Sequence, residues 1–252
     1  MKTFKKPLIF TLVLLPFIIA GIYLSVMYSI SSANSSVLDE AIKQLGSKQI
    51  VIIISMIQPI LLAVISAFFG YIISEKVGLM RSFKLSVKAL IITLILSLIG
   101  GIIFSLDAWI FAKWIPEVAE SYKSAGEVDA LSLLTAVLYG GLIEELMMRL
   151  FLMSLLVFLA HKIFFKKEAT VPIGAIIGAN VISALLFAAG HLPSTAATFG
   201  TLTPLIVFRC FLMNGTFGLV FGYLYRKYGI QYAIIAHMLF HIVARTVWVI
   251  AL

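Results

Sequence analysis

Leu138–Arg149, LYGGLIEELMMR, places Glu144, Glu145 and Arg149 inside an otherwise apolar run. Three ionisable groups in one membrane-length helix are costly to insert, so such a carboxylate points to function when a partner can be named. Residues four apart on an α-helix lie about 40° apart on one face, so Glu145 can pair with Arg149. Glu144 is turned away by about 100° and stays free. One carboxylate is neutralised and the other is available for chemistry.

The chain around this stretch is equally apolar. Of 252 residues, 62% are hydrophobic and 12% charged, and the mean hydropathy is +1.12. A soluble domain carries about twice that charge fraction, and its apolar runs fall short of the roughly 20 residues that cross a bilayer. The expected fold is therefore all-α, a polytopic integral membrane helical bundle in the lipid bilayer. Residues 1–252 form one membrane domain, in which the helices of 1–130 precede a motif-bearing core, 131–252. The single Cys210 excludes an intrachain disulfide and a cysteine-rich metal site. A net charge of +8 could indicate nucleic acid, but the basic residues sit in short turns between apolar runs. Membrane orientation and anionic headgroups explain them better, and no nucleic-acid partner is expected.

Seven spans are expected. The first covers Leu8 to about Ile30 behind Lys2, Lys5 and Lys6; it is too long for a signal-peptide core and reads as a retained helix. A polar loop, Ser31–Lys48, leads to the second span at Gln49–Ile73, and a basic turn, Ser74–Lys88, to the third at Ala89–Leu106. Asp107–Ala130 carries Trp109, Trp114 and five acids (Asp107, Glu117, Glu120, Glu127, Asp129), as an amphipathic external connection does, with room for an eighth segment. The fourth span, Leu131–Ala160, holds the glutamates and ends at the turn His161–Lys167. The fifth is Val171–Gly190, followed by an uncharged loop, Leu192–Thr203. The sixth is Pro204–Tyr225, and the seventh begins at Gln231. Gly174 with Gly178, and Gly218 with Gly222, are small residues spaced for close helix contacts.

With the N-terminus in the cytoplasm, the inner segments hold twelve Lys and Arg. The outer ones hold Lys43, Lys48, Lys113 and Lys123, and Arg149, Arg209 and Arg245 lie within spans. That asymmetry fits the rule that basic residues stay inside.

The remaining polar groups of the last four spans are His191, Arg209, Asn214, His237, His241 and Arg245. His237 and His241 are four apart, so both imidazoles face one way. This suits a metal, or two donors aimed at one oxygen. A lone intramembrane histidine is more often a helix contact than a ligand, but three histidines with two glutamates form a set. A carboxylate with imidazoles can deprotonate water and stabilise an oxyanion, as amide hydrolysis without a covalent intermediate requires. Serine, cysteine and HExxH designs are not supported by the motifs present.

Glu144-Glu145-x-x-x-Arg149, Phe187-x-x-x-His191 and His237-x-x-x-His241, in this order on successive apolar segments, resemble the CPBP family of intramembrane proteases, also called the Abi or CAAX protease family. The resemblance covers about Leu131–Ala251. It implies Glu144 as general base with His191 as its partner, and His237 with the residue at 241 as oxyanion groups. Glu145 joins this catalytic set, with Arg149 and Phe187 as structural support. The family usually has asparagine where this chain has His241, which keeps a metal reading open: zinc held by Glu144, His191, His237 and His241. A metalloprotease and a metal-free glutamate mechanism are both compatible with these residues. The implied partner is a peptide or protein substrate at or in the membrane, and the implied location a bacterial plasma membrane. Relatives act on prenylated C-terminal CaaX motifs or are linked to bacteriocin maturation and immunity. The alternative is a non-catalytic membrane protein on the same fold, an immunity factor or a proton-coupled transporter.

Straight spans conflict with this constellation. At 1.5 Å per residue, Glu144 lies near mid-membrane, His237 about 9 Å from the cytoplasmic end of its helix, and His191 near the outer end of the fifth span. The three groups meet only if a helix is tilted, broken or shorter than drawn.

Overall fold

A bilayer core offers backbone N–H and C=O groups no partners, so long apolar runs must satisfy their own as helices. In the computed structural model, which describes residues 2–32, 35–123 and 129–251, every regular element is helical. Glu127, counted above among the external acids, lies outside the described residues. The principal elements are α1 (Lys2–Ser32), α2 (Ser35–Leu45), α3 (Lys48–Lys76), α4 (Val87–Ser105), α5 (residues 130–164), α6 (Ile173–Gly190), α7 (Leu192–Phe199), α8 (Pro204–Tyr228) and α9 (Ile230–Ala251). Side-chain caps start several of them. Ser47, Ser86, Asp129 and Thr203 each accept a hydrogen bond from an N–H of the first turn of α3, α4, α5 and α8.

Among the described residues, six segments are long and apolar enough to cross a membrane: Phe4–Ser31, Lys48–Lys76, Val87–Lys113, Ile173–Phe199, Pro204–Tyr228 and Ile230–Ala251. The expected fourth span, α5, is built differently. Its backbone opens into π turns over Ala136–Glu144 and Leu146–Met153, between α-helical ends. Such i→i+5 turns are rare and concentrate at functional sites.

Helix α5 is the hub, packed against α1, α3, α6, α8 and α9. Ile143, Leu146, Leu150 and Met153 are fully buried on it, among Ile18 and Ile22 of α1, Ala63 and Ala67 of α3, and Phe217, Phe221 and Phe240 of α8 and α9. Ile53, Ile57 and Leu61 of α3, and Leu98 and Ile103 of α4, stand more than half exposed at the rim. Apolar side chains displayed this way on membrane-length helices suit contact with lipid.

Four readings of the sequence are corrected. The expected loop Leu192–Thr203 contains helix α7, because Pro193 lies in its first turn, where a missing N–H costs nothing. The polar loop Ser31–Lys48 contains α2. Gly174 and Gly178 face open space, whereas Gly218 and Gly222 lie against Ala184 and Asn180 of α6, so only the second pair mediates a close helix contact. The expected external connection holds short helices, Asp107–Ile110 and Pro116–Ser121, and Asp107 is buried rather than at the surface.

Candidate active site

The two glutamates of α5 point into different surroundings. Glu145 and Arg149 are both buried, and Arg149 Nη1 lies 3.2 Å from Glu145 Oε1. Arg149 Nη2 donates to the Gly218 carbonyl at 3.1 Å, and its guanidinium lies 4.6 Å from the centre of the Phe187 ring. His237 Nδ1 lies 2.9 Å from the same Glu145 oxygen. Glu145 thus ties α5 to α9, and Arg149 ties α5 to α6 and α8. An isolated charge here would be costly, but the carboxylate and guanidinium neutralise each other.

Glu144 instead faces His191, whose Nε2 is 4.0 Å from Glu144 Oε1. His191 Nδ1 donates to the Phe187 carbonyl at 2.8 Å, which aims Nε2 at the carboxylate. His191 stands where the segment Ile173–Phe199 breaks between α6 and α7, well inside that segment rather than at its outer end. The three groups that straight spans would keep apart line one cavity.

His237 is stacked between Phe221 and His241, with ring centres 4.3 and 4.8 Å away. Arg245 Nη1 lies 3.3 Å from His241 Nδ1. His241 Nε2 and Glu144 meet over Gly140, where a Cβ would come within 2.8 Å of the imidazole nitrogen and 3.7 Å of Glu144 Oε2. Glu144, His191, His237, His241 and Arg245 all line one cavity of about 400 Å³, whose other walls include Phe104, Phe187, Met213, Phe217, Phe221 and Phe240. A second cavity of about 580 Å³ shares His191, Ser132, Ser194 and Arg245 with the first and adds Asp129, Tyr122, Thr195 and Thr198.

All seven candidate residues, Glu144, Glu145, Arg149, Phe187, His191, His237 and His241, are therefore brought together. Arg245, which received no role from the sequence, joins them. So does a bracing cluster beside the second cavity, in which Asp107 takes hydrogen bonds from Arg209 Nε at 2.8 Å and from the Tyr122 hydroxyl at 2.7 Å. Burial, reinforced by the Asp107 carboxylate, holds the Tyr122 hydroxyl well above the ordinary phenol range. The i, i+4 spacing of His241 and Arg245 was a visible signal; the 102-residue separation of Asp107 and Arg209 was not.

One carboxylate with imidazoles is a donor set that zinc accepts. Among the described residues, however, no three His, Cys, Asp or Glu side chains converge as a metal site.

The described geometry has a counterpart in sequence. Residues 126–243 match the family model for Rce1-like proteins, type II CAAX prenyl endopeptidases. That model describes proteins of the CAAX protease (CPBP) kind, to which this segment is similar. No curated protein and no solved structure matches the chain. The matched segment covers just under half of the 252 residues and contains every candidate residue from Glu144 to His241, while Arg245 lies two positions beyond it. Helices α1, α3 and α4 fall outside the match and pack around it.

Proposed function

We propose that the chain is an intramembrane endopeptidase in which Glu144 activates a water molecule against a peptide carbonyl. The observation that carries this reading is the 4.0 Å separation of Glu144 Oε1 and His191 Nε2. That gap is too long for a direct hydrogen bond and of a size that one water oxygen in contact with both groups would span. As the water oxygen bonds to the carbonyl carbon, its proton passes to Glu144. The carbonyl oxygen gains charge and is met by a donor from the α9 histidines. When the C–N bond breaks, Glu144 returns its proton to the leaving amine, giving a carboxylic acid, which keeps the second water proton, and an amine. Phe187, Phe217, Phe221 and Phe240 give the cavity apolar walls that strengthen these polar contacts. The substrate is a peptide or protein segment reached at the bilayer, and the setting a bacterial plasma membrane with the N-terminus in the cytoplasm.

The test is a cleavage assay of purified protein in lipid nanodiscs against a peptide library. Wild type should cleave, and Glu144→Gln should not, because an amide cannot take a proton from water. Proton-coupled flux in sealed vesicles without cleavage would overturn the protease in favour of a transporter. Zinc measured on the same samples decides the metal alternative. Full activity in zinc-free protein supports the side-chain mechanism, and zinc lost in step with activity in both His241→Asn and His241→Ala removes it.

A further inference from the structure

The geometry points to Arg245 as a positioning residue that fixes His241 in the Nε2–H form, making His241 the neutral oxyanion donor of this site. The inference rests on the hydrolytic reading above for its purpose, but its geometric content is independent of that reading. A guanidinium has only N–H donors. Arg245 Nη1, 3.3 Å from His241 Nδ1, therefore requires a lone pair on that nitrogen. The one ring proton of His241 must then sit on Nε2. A doubly protonated ring would set N–H against N–H, so this contact also keeps His241 neutral.

The other two imidazoles are held the opposite way. His237 Nδ1 faces Glu145 Oε1 at 2.9 Å and His191 Nδ1 faces the Phe187 carbonyl at 2.8 Å, and both oxygens accept. In their neutral forms these rings carry the proton on Nδ1 and turn a lone pair from Nε2 to the cavity. Among the three, only His241 offers an N–H. That N–H stands beside Glu144 over Gly140, on the wall of the cavity that holds the proposed reacting groups.

Arg245 is also the odd member of the interior arginines. Arg149 is paired with Glu145 and Arg209 with Asp107, while Arg245 has no carboxylate at ion-pair distance among the described residues. Its second contact is to Ser132 Oγ at 3.4 Å. A guanidinium set at the cavity wall without a counter-charge is costly in a membrane segment, which an orienting role explains and a structural ion pair does not.

The experiment is a double-mutant cycle combined with nitrogen NMR of ring-labelled histidine, on full-length protein in phosphatidylglycerol–phosphatidylcholine nanodiscs. His161, His191 and His237 signals are assigned by single His→Gln variants. Wild-type His241 should show a protonated Nε2 and an unprotonated Nδ1. Arg245→Met should shift it toward a mixture of the two forms and lower kcat by about 10²-fold, the scale of one lost oxyanion donor, with KM nearly unchanged. Arg245→Lys, which keeps a donor, should restore both. In a His241→Asn background the amide donor has no tautomer to fix, so Arg245→Met should change kcat less than about threefold. An equal loss in both backgrounds would reduce Arg245 to a structural role, and a wild-type His241 protonated on Nδ1 would overturn the inference. The NMR result stands whether or not the protein cleaves peptide, so it is separable from failure of the protease reading.

Discussion

Adjacent glutamates on one helix carry different loads. Glu145 Oε1 faces both Arg149 at 3.2 Å and His237 at 2.9 Å, whereas Glu144 has His191 across a 4.0 Å gap. Glu145→Gln should therefore act on stability first. It leaves Arg149 buried without a counter-charge, a defect worth about 3 to 5 kcal/mol in buried pairs. It also lets the amide present a donor to His237 Nδ1. Thermal unfolding in detergent should show a large drop for Glu145→Gln and little change for Glu144→Gln; the reverse order would exchange the two roles. Much at this scale was legible in the sequence. The i, i+4 rule finds Glu145–Arg149 from spacing alone, and the same rule applied once more finds His241–Arg245. Their tautomers were not legible, because these depend on which oxygen or guanidinium each ring meets from another turn or another helix.

The helices themselves explain how residues from seven elements reach one cavity. Apolar runs announced most of them, since any such run in a bilayer must be helical. Breaks and wide turns were harder to read. Gly190-His191-Leu192-Pro193 resembles a helix end followed by a loop, yet the proline starts α7 and the chain continues as a broken segment from Ile173 to Phe199. Nor does an apolar pattern distinguish π from α turns, because the choice lies with packing around α5. Approach of α9 to α5 further depends on Gly140, where a Cβ would come within 2.8 Å of His241 Nε2. Gly140→Ala should push His241 aside and lower turnover by about 10²-fold, comparable to removing the donor itself. Unfolding temperature should change little, since alanine is a better helix former than glycine. Turnover within a factor of two of wild type would mean that His241 does not act at the position assigned to it.

At the scale of the whole molecule, charge divides the bundle into two ends. Lys6 lies 3.9 Å from Glu75, Arg81 reaches the Arg226 carbonyl at 3.5 Å and Gln231 the Ser82 carbonyl at 3.3 Å, so several segments assigned to the inner side meet one another. At the opposite end Trp248 donates to the Ser105 carbonyl at 3.3 Å and packs against Tyr122, beside the Asp107–Arg209 pair. The second cavity, lined by Tyr122, Asp129 and Trp248, belongs to that end, so the candidate site communicates with the side poor in basic residues. This grouping supports an alternating path in which α1 and α3 bring their Lys6 and Glu75 ends to one face. The excess of Lys and Arg at that face is the ground on which we propose it as the cytoplasmic one. Lys5, Lys43, Lys123 and Lys166 are all exposed on the protein surface, so a membrane-impermeant amine reagent discriminates among them by side alone. In sealed cells Lys43 and Lys123 should react and Lys5 and Lys166 should be protected, with all four reacting after permeabilisation. External labelling of Lys166 with protection of Lys123 would invert the bundle and place the second cavity toward the cytoplasm. Labelling of Lys166 together with Lys123 would mean that α5 does not cross the bilayer, despite its central position in the fold.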